Sequence, residues 1–204
     1  TEGGDFTLFE ALHTTSFWIL FLVYTITAIC FQMVVVHIVV AAIDIGAAAS
    51  AAALILTIMG ITNTLGRLAL GSLADRFGKI LILTIAVAGQ AGLLFLLAQG
   101  SDLWSFYIIT ATYALFYGSV VTNVLSLGSS FFGVRAIGAI TGALNLGYLA
   151  GGAIGPLLAG HIFDVTGSYY TAFLVSAIIS ALAFVLCLLL KAPRKTPGIQ
   201  EIGS

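Results

Sequence analysis

The chain holds seven Lys or Arg and eight Asp or Glu among 204 residues, so any ionisable group inside an apolar run is a candidate for chemistry. Arg67 is the clearest. A charge within such a run is costly and marks function by default, and a planar guanidinium fork suits a carboxylate. The structural alternative is that Arg67 snorkels to a membrane interface. Asn63 lies four residues earlier, on the same helix face. Other polar groups recur at helical spacing: Tyr113 and Tyr117; Thr141, Asn145, Tyr148 and Gly152; and Thr25 and Gln32, with Tyr24 beside them. Such stripes suit either an aqueous cavity or interhelical hydrogen bonds, worth about 0.6–2 kcal/mol each. His37 can titrate near neutral pH or simply pack.

Other chemistries find no support. No Ser/His/Asp set or phosphate-binding loop can be assembled, so an enzyme is not expected. His13, His37 and His161 share no ligand spacing, and neither a metal nor a cofactor is expected. Cys30 and Cys187 both sit in apolar runs and read as buried thiols, not as a disulfide framework. A formal net charge of −1 gives no basic footprint for nucleic acid.

The elements that must position these groups follow from composition. The chain is 60% hydrophobic and 7% charged, against about 25% charged in soluble domains. Fifteen charges cannot cover a globule in water, so the lipid bilayer is the expected surrounding. Six apolar runs, at 17–42, 51–73, 80–99, 105–127, 137–160 and 170–190, are long enough to cross it. They lack the alternation of barrel strands, which predicts an all-α membrane protein. Residues 1–16 read as a cytoplasmic leading segment, with a capping-box spacing at Thr7 and Glu10. Residues 17–190 form the bundle, and 191–204 a basic, proline-broken cytoplasmic tail. The first residue is Thr, which suggests a fragment or processed product, and no signal-peptide pattern precedes the first run.

Charge orients the bundle. Arg67, Arg76, Lys79, Arg135, Lys191, Arg194 and Lys195 fall toward the side holding the N-terminus, while the loops of the other side carry Asp44, Asp102 and Asp164. The positive-inside rule then places both termini in the cytoplasm, and a plasma (inner) membrane is the expected location. Trp18, Trp104, Tyr107, Tyr169 and Tyr170 stand at span ends, as interfacial aromatics do.

The chain also repeats itself. At an offset of 89 residues, Ser16, Phe17, Ile19 and Tyr24 fall on Ser105, Phe106, Ile108 and Tyr113. At the same offset Gly66, Leu68, Gly71, Asp75 and Gly78 fall on Gly155, Leu157, Gly160, Asp164 and Gly167. The copies, 16–99 and 105–190, each hold three spans. An odd number sends the second copy in from the opposite side, the inverted repeat of many secondary transporters. Gly147, Gly151 and Gly155 recur every fourth residue, a groove for close helix packing, and Pro156 can kink the fifth span. Spans three and six carry few polar groups (Thr84, Gln90; Thr171, Ser176, Ser180) and read as lipid-facing supports.

These motifs carry a family resemblance. Gly71-Ser72-Leu73-Ala74-Asp75-Arg76-Phe77-Gly78-Lys79 resembles the cytoplasmic loop signature of the major facilitator superfamily, with its usual basic run shortened to Lys79. Gly155-Pro156 through Tyr169 resembles the close of that family's eleventh helix. The resemblance implies half of a twelve-helix fold, the C-terminal six helices, made of two inverted three-helix repeats. It implies an alternating-access symporter or antiporter whose partner is a missing N-terminal six-helix half or a second copy. It also implies a gating loop of Gly71, Asp75, Arg76, Gly78 and Lys79. Residues 31–38 and Asn63-Thr64-Leu65-Gly66-Arg67 are similar to the monocarboxylate and oxalate/formate porters. There an Arg at the position of Arg67 meets an anionic substrate. Span five lacks the Lys that oxalate carriers use, so a small monocarboxylate is the expected substrate. Gln32, Tyr24, Tyr113, Tyr117, Asn145 and Tyr148 would line its site with Asn63. Two other readings stay open: a six-span scaffold without transport, and a half-size carrier acting as a homodimer.

Overall fold

The computed structural model describes residues 5–193. Residues 1–4 and the end of the tail, with Arg194 and Lys195, lie outside the described residues. Seven helices follow one another: α1 (Leu8–Leu12), α2 (Thr15–Asp44), α3 (Ala49–Phe77), α4 (Lys79–Ala98), α5 (Leu103–Phe132), α6 (Ile137–Thr166) and α7 (Tyr169–Leu188). There is no strand among the described residues. Helices α2 to α7 are each long and apolar enough to cross a membrane.

The short α1 forms where the capping box was expected. The Glu10 amide donates to Thr7 Oγ1 at 3.2 Å, and the Thr7 amide donates to Glu10 Oε2 at 2.7 Å. The Phe6 amide donates to the Phe132 carbonyl at 2.9 Å, and the two rings meet edge to face. The leading segment is thereby fastened to the end of α5. Ser16 Oγ donates to the Lys191 carbonyl at 2.7 Å, so the start of α2 and the end of α7 share one end of the bundle.

Adding 89 to the bounds of α2, α3 and α4 gives those of α5, α6 and α7 to within one residue. The packing obeys the same exchange. α3 lies mainly on α5, as α6 lies on α2; α4 packs on α5 as α7 packs on α2; α4 and α7 pack on each other. Each half of the bundle has its own apolar core. One, near the start of α2, includes Leu20, Tyr24, Val124 and Phe132. The other, at the far end, includes Ile38, Ile55, Leu94 and Tyr113. Tyr24 and Tyr113, which the offset superimposes, thus occupy the two cores.

Glycine sets how closely the flanking helices approach. A Cβ on Gly66 would overlap the Leu115 carbonyl, and one on Gly118 would overlap that of Asn63, so α3 and α5 touch backbone to backbone. On the other side Gly151 and Gly155 meet the carbonyls of Thr25 and Ile29, and Gly147 meets Thr25 Oγ1 and the Phe21 ring. Gly78 and Gly167, the last residues of the repeated motif, end α3 and α6 with positive φ of 103° and 66°. Such backbone favours glycine, and both amides close back onto the fourth residue before them.

Two expectations are corrected. The span 51–73 was expected to end before a loop, yet α3 runs on to Phe77 and only Gly78 separates it from α4. Gly71, Asp75 and Arg76 are therefore helical, with Asp75 and Arg76 exposed on the last turn. Polar residues there do not end the helix because, beyond the hydrocarbon, water can solvate their side chains. The second correction concerns α4 and α7, expected to be supports facing lipid. They form the packed back of the bundle and bury Gln90, Ser176 and Ser180. The least buried helices are α3 and α6.

Candidate functional site

Helix α3 has 29 residues, about 43 Å at 1.5 Å per residue, against a hydrocarbon core of about 30 Å. Arg67 lies ten residues before its end, about 15 Å along the axis and about 8 Å inside the hydrocarbon if the helix is centred. Its side chain does not run freely to the helix end. Arg67 Nε donates to Asn63 Oδ1 at 3.2 Å, and Asn63 Nδ2 donates to the Ala114 carbonyl of α5, also at 3.2 Å. The i, i+4 pair read from sequence is thus a relay that braces the guanidinium against a second helix. The Nη groups remain available to a partner with two oxygens.

Two phenols feel the charge of that guanidinium. Arg67 acts electrostatically on the hydroxyls of Tyr24, from α2, and Tyr117, from α5, and Tyr148 of α6 acts on the same two. The rings of Tyr24 and Tyr148 stack with centroids 5.4 Å apart. Four helices, α2, α3, α5 and α6, therefore converge on one place. The Tyr117 hydroxyl is buried there beside Tyr148, with no partner in hydrogen-bonding geometry. An unpaired buried hydroxyl costs about 1–3 kcal/mol, a cost that an incoming acceptor would remove.

Other expected residues are placed differently. Tyr113 is wholly buried in the far core, its hydroxyl also unpaired. Gln32 packs beside Gly152 on α6, next to the carbonyl that Pro156, lacking an N–H, leaves without its helical donor. Asn145 is half buried on α6. Thr25 and Thr141 hydroxyls donate back to the carbonyls of Phe21 and Ile137 in their own helices. Lys79 Nζ donates to Ser130 Oγ of α5 at 2.9 Å, and the Arg76 guanidinium lies 5.4 Å from the Phe77 ring centre.

Sequence reading did not foresee the surroundings of three residues. Phe31 stacks face to face on Tyr117 at 3.7 Å, fixing the ring whose hydroxyl is unpaired. Gln90 is fully buried with both polar side-chain atoms unpaired. His37 bridges three helices, as described below. Each depends on helix pairing, which no local pattern encodes.

A family model described as the Major Facilitator Superfamily matches residues 10–203. The chain belongs to the major facilitator superfamily. Among its relatives, monocarboxylate transporter 12 of Homo sapiens is 27% identical over 168 residues, covering 79% of this chain and 33% of that protein. Multidrug resistance protein MdtG of Proteus mirabilis (strain HI4320) is 28% identical over 127 residues, covering 62% of this chain and 31% of that protein. Among solved structures, the transporter FucP in the outward conformation superposes with a TM-score of 0.77 at 19% identity, covering 91% of this chain and 45% of that one. The chain thus spans about a third of the length of these curated relatives and under half of FucP. As a member of this family it is a multi-pass membrane protein of the transporter type, with the six-helix inverted-repeat fold.

Proposed function

We propose that these six helices form the C-terminal half of a secondary carrier for a small organic monocarboxylate, working by alternating access against a second six-helix unit. One observation carries the reading: Arg67, inside α3, is braced by Asn63 and acts on the phenols of Tyr24 of α2 and Tyr117 of α5, the second with an unpaired hydroxyl. The guanidinium would hold the carboxylate by paired N–H donors, and the Tyr117 hydroxyl would donate a further hydrogen bond. The similarity to a monocarboxylate transporter supports this substrate class. The second unit would cover α3 and α6, which leave Arg67 exposed in this chain. Both termini would lie in the cytoplasm, with Arg76, Lys79, Arg135 and Lys191 at or near that end of the bundle.

The test is uptake of a radiolabelled monocarboxylate by the complete carrier in proteoliposomes. Arg67→Lys keeps the charge but loses the fork, so uptake should fall by on the order of tenfold, about 1.4 kcal/mol. Arg67→Gln should abolish it, with normal insertion in both. Unchanged kinetics in Arg67→Gln would overturn the proposal. The similarity to MdtG favours a second reading, a lipophilic compound held by the Phe31, Tyr117, Tyr24 and Tyr148 rings. In that case Phe31→Ala would abolish transport and Arg67→Gln would not.

A further inference from the structure

We propose that His37 and Tyr169 form a proton-binding latch that holds the Pro156 turn of α6 against α2 and α7, at the end of the bundle away from Ser16 and Lys191. His37 Nε2 lies 3.1 Å from the Pro156 carbonyl of α6, and Nδ1 lies 3.4 Å from the Tyr169 hydroxyl of α7. A carbonyl only accepts, so Nε2 must carry a hydrogen. In the neutral ring Nδ1 then accepts from the Tyr169 O–H. At 3.4 Å that second contact is slack.

A proton from water adds to the Nδ1 lone pair. Nδ1–H now donates, the Tyr169 oxygen accepts, and the Tyr169 O–H turns to another acceptor. Nε2–H keeps its bond to Pro156 throughout. The new bond carries charge and is therefore shorter and stronger than the one it replaces. Asp44 at the end of α2 and Asp164 near the end of α6 both act electrostatically on the Tyr169 hydroxyl. The same ring is held in place by stacking on Phe163 at 4.3 Å.

The remaining groups near this end are few; at the start of α5 Asp102 is exposed and bonded to Ser105. On α6, His161 is exposed beside Gly160, where an added Cβ would lie 4.0 Å from the His37 ring. Tyr170 of α7 is exposed. On α5, Tyr107 donates to the Ala51 carbonyl and Tyr113 is in the core. The facing stretch of α3, from Ala49 to Asn63, has no ionisable residue, and α1 lies at the opposite end.

What the latch holds is movable. Pro156 removes one hydrogen bond from α6 and weakens the helix at that turn, so the segment beyond it can pivot. Protonation tightens its attachment to α2 and α7, and loss of the proton loosens it. The ligand is thus a proton, and the consequence is control of one end of the carrier by pH on that side.

Spin labels on Val40 of α2 and Leu157 of α6, both exposed, would report the distance across the latch in the complete carrier. Cys30 and Cys187 are buried and will not take the label. The distance distribution should narrow on acidification. Tyr169→Phe removes one oxygen and leaves the ring stack, and it should abolish the response; His37→Phe should do the same. Asp164→Asn should reduce it. A parent protein without pH response, or variants that keep the parent's response, would overturn the proposal. None of the three variants alters Arg67, so failure here leaves the carboxylate reading untouched.

Discussion

Helices α3 and α6 hold the same place in the two repeats and have been put to different uses. At the shared offset Gly66 falls on Gly155, Asp75 on Asp164 and Gly78 on Gly167, whereas Arg67 falls on Pro156 and Asn63 on Gly152. The positions kept are those that geometry demands: a close approach to a neighbouring backbone, and a positive-φ helix end. The positions that differ give α3 a braced charge and α6 a weakened turn. One repeat thus supplies the group that can hold an anion, and the other supplies the place that can bend. An inverted repeat allows this division because the two helices enter the bundle from opposite ends.

The sharpest way to break the comparison is to fill the shared glycines. Gly66→Ala and Gly155→Ala each push a methyl into a backbone carbonyl, which cannot move aside as a side chain tip can. Each should cost about 1–3 kcal/mol, read as thermal unfolding of the detergent-purified protein. Gly60→Ala, with nothing within 4 Å of the added carbon, should be neutral or slightly stabilising, by about 1 kcal/mol at most. If Gly155→Ala behaves like Gly60→Ala while Gly66→Ala is damaging, the two repeats do not pack alike.

That much of the architecture was legible. Six spans, the repeat and the capping box at Thr7 all follow from local pattern. What was not legible is long-range. Hydropathy marks where apolar residues stop, so α3 was expected to end near residue 73, although the helix continues through Asp75 and Arg76 to Gly78. Low polarity made α4 look peripheral, but a buried Gln90 has no sequence signature that separates it from one facing lipid. In the candidate site the Asn63–Arg67 spacing was readable because it lies within one helix. The bond from Asn63 to Ala114 crosses 51 residues, and that from His37 to Pro156 crosses 119.

The next effect is smaller in stability but large in function. Pro156→Ala restores an N–H to the Gly152 carbonyl and removes the weak turn of α6. The protein should be as stable or more so, while uptake falls by on the order of tenfold, about 1.4 kcal/mol, because α6 pivots less readily there. Full uptake with Pro156→Ala would show that α6 does not serve as the bending partner of α3.

Asn63→Ala sharpens the α3 side. It leaves Arg67 in place but removes the acceptor on its Nε and the tie to α5. One hydrogen bond of this kind is worth about 1 kcal/mol, so KM should rise roughly fivefold with kcat nearly unchanged. An effect as large as that of Arg67→Gln would instead make Asn63 a direct ligand.

The smallest expected difference lies where the repeats begin. Helix α2 is capped by the neutral Thr14, whose Oγ1 accepts from the Phe17 amide at 3.2 Å. Helix α5 is capped by Asp102, whose Oδ1 accepts from the Ser105 amide at 2.9 Å. Hydrogen bonds from the Ser105 amide, and from its side chain, hold the Asp102 carboxyl below the usual carboxylate range. A carboxylate stabilised in the folded state contributes above its unfolded pKa and loses that contribution as pH falls through the folded value. The cap should therefore be complete at neutral pH and weaken only in strong acid. Amide exchange corrected for the intrinsic rate measures it: protection at Ser105 should drop on acidification while that at Phe17 stays level. Asp102→Asn, itself a good cap, should keep the protection and remove its dependence on pH. If both starts lost protection together, the change would be general unfolding, and the two caps would not differ in the way their chemistry requires.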